Sequence, residues 1–292
     1  MKTREYVKPF EVTDGSAFRM KDFDPTETLG LKSKERATEI LERGIVRLSQ
    51  LQEQLYAQDR WGILLILQAM DAAGKDSTIK HVMSGVNPQG CQVNSFKSPS
   101  AEELQHDFLW RTSRLLPERG KIGIFNRSYY EEVLAVRVHP EFLAAEKIPG
   151  PLVSEDIWRN RFEDINSFER HMSRSGFVVL KFFLYLSKKE QKKRFLERLD
   201  DPGKNWKFSV SDALERKHWG DYMRAYEEMI RNTSTKRAPW YVVPADHKWF
   251  ARLVVAEAVV DALECLDLSF PKIDAKKRKE LKDARVALER EA

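Results

Sequence analysis

The sequence is poor in cysteine, and its two cysteines, Cys91 and Cys265, are far apart. A disulfide framework or a cysteine metal site is therefore not expected, and a reducing cytoplasm fits. Long apolar runs are also missing, since the longest uncharged one, from Trp61 to Met70, has about half the length of a membrane span. The six histidines lack metal-ligand spacing, and no Gly-x-Ser-x-Gly motif suggests a hydrolase. Secretion, membrane insertion and serine hydrolysis are not expected.

Charge is nearly balanced in the chain of 292 residues, with 50 basic and 45 acidic side chains and a net charge of +5. A surplus this mild does not by itself attract polyanions, so any such site must come from local clustering. The hydrophobic content of 42% is enough for a sizeable core.

Strand patterns and helix patterns that alternate along the chain predict an α/β fold with a parallel sheet. Steps of three and four between apolar residues predict an amphipathic helix from Ser33 to about Tyr56, after an irregular arm of some 30 residues. Short continuous apolar runs predict strands buried on both faces: Gly62–Leu67, Cys91–Phe96, Lys121–Phe125, Phe177–Leu186 and Trp240–Pro244. Capping-box spacing at Ser100 and Ser187 predicts further helix starts, and no linker divides the chain.

The turn after the first long strand has the composition of a phosphate-binding loop. Gly74-Lys75 stands at the start of a predicted helix, where backbone N–H groups and a lysine can hold phosphate oxygens. The expected phosphate-binding residues are consecutive: Ala72, Ala73, Gly74, Lys75, Asp76 and Ser77. Because Asp71 would repel a phosphate, we expect a divalent cation between them. The alternative is a plain strand-to-helix turn with Lys75 in water.

A second strand end is predicted to lie beside this loop. The strand ends in Asn126, where an acidic residue is usual in P-loop folds, and Arg127 comes next. Arg127 is predicted to bind phosphate, whereas Glu131 and Asn126 are predicted to join Asp71 around the metal. The alternatives are a surface salt bridge for Arg127 and a solvated helix face for Glu131.

A basic segment precedes the last strand. From Lys188 to Lys217 there are ten basic and six acidic residues, so this short stretch holds most of the net charge. Because it comes after a strand whose carboxyl end faces the site, we predict a lid that closes on phosphates, with Lys204 and Lys207 among its contacts. The alternative is an ordinary solvated helix.

These motifs together resemble the second family of polyphosphate kinases. The resemblance covers about residues 30 to 270 and rests on Met70–Asp76, Phe125–Tyr130, Leu186–Gln191, Arg194-Phe195, Lys204–Lys207, Trp219 and Ala238–Ala245. It implies a P-loop kinase-like, three-layer fold with a central parallel sheet and a helical lid inserted at about 188–235. Residues 61–292 then form the kinase domain, and residues 1–60 form the arm and the amphipathic helix.

The resemblance also implies an activity and a set of roles. Polyphosphate would donate a phosphoryl group to AMP or ADP, reversibly, with Mg²⁺ (Mn²⁺ as the alternative) in a cytoplasmic homo-oligomer. Asp71, Lys75, Arg127 and Arg194 would be catalytic, and Arg198 would be a second lid arginine. Asn126 resembles the subgroup that accepts both AMP and ADP. Neither nucleic acid nor a membrane is an expected partner.

Two other functions remain open from the sequence. An ATP-dependent nucleoside or nucleotide kinase could use the same scaffold, although the lid holds more cations than one triphosphate requires. A non-catalytic polyanion-binding protein is the other alternative, but such a protein gains nothing from Asp71 in its anion site.

Overall fold

A six-stranded sheet forms the centre of the computed structural model, which describes residues 4–291 without the side chain of Lys207. Its strands are β1 (Glu11–Val12), β2 (Gly62–Gln68), β3 (Cys91–Ser95), β4 (Ile122–Asn126), β5 (Phe177–Tyr185) and β6 (Trp240–Pro244). They lie in the order β1-β6-β5-β2-β4-β3. Four pairings are parallel, and only that of β1 with β6 is antiparallel. The predicted α/β fold with a parallel sheet is confirmed.

Helices connect the strands. The α-helices are α1 (Arg4–Val7), α2 (Lys34–Gln58), α3 (Lys75–Val82), α4 (Trp110–Ser113), α5 (Ala135–Val138), α6 (Pro140–Ala145), α7 (Ile157–Arg174), α8 (Lys188–Asp200), α9 (Val210–Leu214), α10 (Trp219–Thr233), α11 (Lys248–Glu264) and α12 (Ala275–Leu288). The 3₁₀ helices are Lys8–Phe10, Met20–Asp22, Pro88–Gly90, Glu103–Gln105, Tyr129–Val133, Gly150–Leu152, Asn205–Lys207 and Glu215–His218. In the described part of the chain, no helix has both the length and the hydropathy to cross a membrane.

The sheet lies between two layers of helices. Ile63, Leu65 and Leu67 of β2 pack into an apolar cluster with residues of α2 and α11. Leu64 and Ile66 pack into a second cluster with residues of α7 and α10. Every residue of β2 is buried for this reason, which explains why its apolar run is continuous and does not alternate.

The parallel register brings the ends of β2 and β4 together. Leu67 lies opposite Asn126 of β4 on one side and opposite Phe182 of β5 on the other. Strands that come later in the chain thus lie on both sides of β2, which makes the carboxyl end of β2 a topological switch point. In open parallel sheets, ligands bind at such points. The fold therefore places the loop after β2 and the residues after β4 at one site.

A buried polar network fixes the turn that comes after β4. Lys181 of β5 donates from Nζ to Glu169 Oε2 (2.6 Å), to Thr233 O (2.7 Å) and to Tyr130 Oη (3.0 Å). The hydroxyls of Tyr129 and Tyr130 both donate to Glu169 Oε1. Because a buried charge is costly unless it is paired and hydrogen-bonded, this network holds the Tyr129–Val133 turn in one position.

The N-terminal segment is more ordered than the predicted irregular arm. Its strand β1 extends the sheet, and Phe10 and Phe18 are buried in the two apolar clusters. A strand of two residues is too short to produce a periodic pattern, so it could not be recognised in the sequence. The amphipathic helix predicted after this segment is confirmed as α2, with Ser33 as its N-cap.

The two predicted capping boxes begin different structures. Ser187 caps α8 as predicted, and Glu190 N donates to its Oγ (3.0 Å). At Ser100 the reciprocal bonds with Glu103 form, but they lead only into a 3₁₀ turn. The prediction of a helix there is wrong. The side chain of Asp107 accepts a hydrogen bond from Leu109 N, and this bond begins a separate turn.

One buried carboxyl group makes stability depend on pH. Glu257 of α11 is 1% exposed, and within residues 4–291 neither of its oxygens has a hydrogen-bond partner. Burial raises its pKa from 4.5 to about 7, with a further rise from the charge of Glu264. The folded state therefore keeps a proton that the unfolded chain releases at lower pH, and stability declines as the pH rises through this window.

We expect Glu257→Gln to remove this decline. Between about pH 5 and pH 8, the free energy of unfolding of the unsubstituted protein should fall by roughly 2 to 3 kcal/mol more than that of the variant. Urea unfolding at both pH values measures the difference. The exposed Glu42→Gln on α2 is the control and should keep the decline. Equal pH dependence in Glu257→Gln and in the unsubstituted protein would contradict this assignment.

Candidate active site

The loop between β2 and α3 has a strained, fixed conformation. Ala72 has a φ of +63° and Gly74 has a φ of +108°, and Gly74 is the N-cap of α3. Glycine adopts positive φ without penalty, whereas alanine there costs roughly 1 to 3 kcal/mol unless its surroundings enforce it. Such strain is typical of loops that bind ligands.

Lys75 begins α3 and lies close to its own loop. Its Nζ donates to Ala69 O at 2.8 Å. Burial lowers the pKa of Lys75, and the charge of Arg127 lowers it further, whereas Asp71 acts in the opposite direction. An anion bound here would relieve the repulsion between these two cations.

Arg127 directly succeeds β4 and lies between carboxylates. It has a φ of +64°, and its Nη2 donates to Asp71 Oδ1 at 2.9 Å. The charge of Glu131 raises the pKa of Arg127 most strongly, and that of Asp71 adds to this. The predicted convergence of Asp71, Lys75 and Arg127 is therefore present in the structure.

The residues predicted as metal ligands have protein partners in this structure. Asn126 Nδ2 donates to Asp76 Oδ1 (2.6 Å) and to Ser95 Oγ (3.4 Å). With the Gln68 amide oriented to satisfy its neighbours, its Nε2 donates to Glu131 Oε1 (2.9 Å). No group of three or more His, Cys, Asp or Glu side chains forms a metal cluster among residues 4–291. Asp71, the third predicted ligand, accepts from Arg127.

A cavity of about 740 Å³ separates the loop from the basic segment. Lys75, Asp76, Ser77 and Arg127 line one side, and Arg198 and Lys204 line the other. Residues of the basic segment and of the loop thus line the same cavity. Lys204 forms an ion pair with Asp201 (2.5 Å), whereas the side chain of Lys207 lies outside the described residues.

Arg194, which was predicted to be catalytic, donates to backbone carbonyl groups and to a carboxylate of the protein. Although it borders the cavity, its side chain is 3% exposed. It donates to the carbonyl oxygens of Ala72 (3.1 Å), Ala73 (2.9 Å), Ala245 (2.6 Å) and Asp246 (2.9 Å), and to Glu190 Oε1 (2.9 Å). In this conformation Arg194 contacts the loop backbone.

Several residues at the cavity were not predicted from the sequence. Lys97 and Ser98 come after β3, Lys248 begins α11, and Asp212 lies on α9. Burial raises the pKa of Asp212, and the charge of Asp71 contributes to the rise. Only Lys97 could have been found from the sequence, because it comes directly after the predicted strand Cys91–Phe96, whose carboxyl end lies at the site.

A second cavity, of about 290 Å³, adjoins the first at Lys97 and Arg127. Phe108, Val136 and Phe142 form apolar parts of its lining. Its volume suits a nucleoside, and its mixture of apolar walls and a few polar groups is typical of small-molecule sites.

The lining of this second cavity includes two carboxyl groups, the buried Glu132 and the partly buried Glu146. Arg161 Nη1 donates to Glu132 (2.5 Å), and Nη2 donates to Glu146. Burial raises the pKa of Glu132 to about 8, and the charge of Glu146 acts in the same direction. The cavity therefore offers both hydrogen-bonding groups and apolar contacts.

Comparisons with known proteins show which family the chain resembles. The family model described as Polyphosphate kinase 2 matches residues 31–271. An ADP-polyphosphate phosphotransferase of Rhodopseudomonas palustris is 52% identical over 97% of this chain and 98% of its own. An AMP/ADP-polyphosphate phosphotransferase of Meiothermus ruber is 44% identical over 91% of this chain and 96% of its own. The crystal structure of Polyphosphate Kinase 2 from Arthrobacter aurescens superposes with a TM-score of 0.86 at 41% identity, covering 94% of this chain and 96% of that one.

The Asn126–Asp76 bond gives a test of the loop geometry. Asn126→Asp places two carboxylates in contact and should reduce the free energy of unfolding by about 1 kcal/mol at pH 8. In the double variant Asp76→Asn with Asn126→Asp, the amide and the carboxylate exchange places, so part of the loss should return. Urea unfolding of the four proteins measures this coupling. A single variant as stable as the unsubstituted protein, or a double variant without recovery, would contradict the contact.

Proposed function

Because the chain belongs to the polyphosphate kinase 2 family, we propose that it transfers a phosphoryl group from inorganic polyphosphate to AMP, ADP or both, and also catalyses the reverse reaction. The observation that carries this proposal is one cavity lined by cations from several elements. Lys75 comes from α3, Arg127 from the end of β4, and Arg198 from the lid. That arrangement suits a ligand with many phosphates better than one with a single phosphate.

The polyphosphate donor is assigned to the first cavity. Its lid side carries Arg198 and Lys204, and its loop side carries Lys75. Polyphosphate bears about one charge per phosphate, so a series of cations can hold successive units, and binding should weaken with salt as it does for nucleic acids.

The acceptor nucleotide is assigned to the second cavity. The nucleoside would lie among Phe108, Val136 and Phe142, with its phosphates toward Arg127, where the two cavities meet. This direction brings the terminal phosphate of AMP or ADP next to the donor site. Adenine nucleotides, including the ATP formed from ADP, are thus the expected partners.

The reaction requires positioning more than proton transfer. The acceptor oxygen of the nucleotide is already anionic near neutral pH, so no strong general base is needed. Lys75 and Arg127 would hold two mutually repelling anions in line and neutralise charge on the transferred group. Lid cations would stabilise the donor chain during transfer.

A divalent cation fits the carboxylates at the first cavity. Mg²⁺ usually takes one or two protein carboxylates together with substrate phosphates and water, so a cluster of three acidic side chains is not required. Asp71 and Asp212 line the same cavity, and the raised pKa of Asp212 reflects burial and negative charge that a cation would balance. Asp71, with Asp212, would hold Mg²⁺ or Mn²⁺, which would offset phosphate charge.

We also propose that the protein accepts both AMP and ADP and that it forms a homo-oligomer.

The donor assay tests the proposed function. Protein with Mg²⁺, polyphosphate and AMP or ADP should form ADP or ATP, and chromatography of the nucleotides measures the products. Lys75→Ala should lower the rate by roughly 10² to 10³, because it removes a charged contact to the transferred group. Lys80→Ala, exposed on the same helix, is the control and should keep the rate.

Other outcomes of that assay distinguish the alternatives. Product formed only with ATP as donor would indicate a conventional kinase, and no product with any donor would indicate a polyanion-binding protein. Near-full activity of Lys75→Ala would contradict the assigned role of Lys75.

Substitution on α6 tests the acceptor cavity. Ala144 and Ala145 are both exposed, but only Ala145 is among the residues that line the second cavity. Ala145→Trp should raise KM for the nucleotide by about tenfold or more, the effect of losing some 1.4 kcal/mol of binding, and leave KM for polyphosphate nearly unchanged. Ala144→Trp should change neither constant. An increase in KM for polyphosphate alone would reverse the assignment of the two cavities.

A further inference from the structure

Two side chains of α8 hold the carbonyl groups of the phosphate loop. Gln191 Nε2 donates to Asp71 O at 2.9 Å. Arg194 Nη1 donates to the carbonyl oxygens of Ala72 and Ala73, the next two residues. Three consecutive peptide groups of the loop are therefore fixed by one helix of the lid.

The guanidinium of Arg194 has no N–H group left for a phosphate. An arginine side chain has five N–H donors, and the five bonds to Ala72, Ala73, Ala245, Asp246 and Glu190 use all of them. Because the side chain is buried, giving up one of these bonds would leave a polar group unsatisfied. Arg194 is thus poorly suited to bind the substrate directly.

These bonds act on the strained part of the loop. Ala72 has a left-handed conformation that alanine rarely adopts, and Arg194 binds its carbonyl oxygen. In a trans peptide group the N–H points opposite to the C=O. Holding the carbonyls of Asp71 and Ala73 toward α8 therefore turns the N–H groups of Ala72 and Gly74 away from α8, and both residues line the first cavity.

The same contacts extend to the far end of the lid. Arg216, in the 3₁₀ helix Glu215–His218, donates from Nη1 to Gln191 Oε1 (2.6 Å) and to Lys188 O (3.2 Å). A hydrogen-bonded path therefore leads from Arg216 through Gln191 to the backbone of Asp71. The lid and the phosphate loop are connected at the base of α8.

We propose that Arg194 and Gln191 are positioning residues, which hold the carbonyls of Asp71, Ala72 and Ala73 against α8 and so keep the N–H groups of Ala72 and Gly74 available to phosphate. The proposal rests on the proposed function only in taking phosphate as the ligand of this loop. It replaces the catalytic role expected for Arg194 and adds Gln191, for which no role was predicted.

Binding of tripolyphosphate tests the proposal without requiring turnover. Arg194→Lys keeps the charge but cannot replace five bonds, so it should weaken binding as much as Arg194→Met does, about tenfold or more. The slope of log Kd against log salt should stay the same, because no phosphate contact is lost. Amide hydrogen exchange in residues 70–76 should become faster. Lys192→Met, exposed on the same helix, is the control and should change neither binding nor exchange.

A rescue variant separates positioning from general destabilisation. Glycine adopts positive φ without strain, so adding Ala72→Gly to Arg194→Met should restore part of the lost affinity. If Arg194→Met does not fold, as judged by circular dichroism, Gln191→Leu provides the same test. It removes one carbonyl contact and should increase hydrogen exchange in the loop.

Opposite results would overturn the proposal. Normal affinity in Arg194→Lys, together with a salt slope reduced by about one in Arg194→Met, would make Arg194 a direct phosphate ligand. Unchanged hydrogen exchange in the loop of Arg194→Met, or no rescue by Ala72→Gly, would also exclude positioning. Loss of transfer activity alone would count against the proposed function and not against this inference, because tripolyphosphate binding and hydrogen exchange are measured without a nucleotide.

Discussion

The close approach of two cations, Lys75 and Arg127, with carboxylates around them is the feature on which the rest of the site depends. Lys75 and Arg127 come from different strand ends, and the parallel register of β2 and β4 places them side by side. Burial lowers the pKa of Lys75 most, the charge of Arg127 lowers it further, and Asp71 and Glu131 partly offset the shift. A site with this charge distribution favours phosphate groups. This preference agrees with membership in the polyphosphate kinase 2 family.

The lid has two distinct tasks in this account. Its outer residues, such as Arg198, face the cavity and supply positive charge, whereas the base of α8 holds the phosphate loop through Gln191 and Arg194. Arg194 cannot share the first task, since a buried arginine must satisfy all of its N–H groups within the protein. Movement of the lid would therefore change the loop as well as the charge above it.

Sequence patterns predicted the parallel sheet, the long helices and the convergence of Asp71, Lys75 and Arg127, because buried strands and parallel strand ends can be read from periodicity. They do not give the side-chain contacts within the site. Asn126 was predicted to bind a metal and here contacts Asp76, and Arg194 was predicted to be catalytic and here contacts backbone carbonyls. Such contacts depend on distances of a few ångströms, which residue spacing does not encode. Strand β1 is too short to produce a pattern at all.

A crystal structure with a methylene-linked polyphosphate analogue and AMP would test the central claim most directly. The account predicts that the end of the polyphosphate chain contacts Lys75 and Arg127, with later phosphates along Arg198 and with the base in the cavity lined by Phe108 and Val136. Polyphosphate bound elsewhere, for example on the exposed basic helix α12, with Lys75 and Arg127 still paired to the loop and to Asp71, would contradict it.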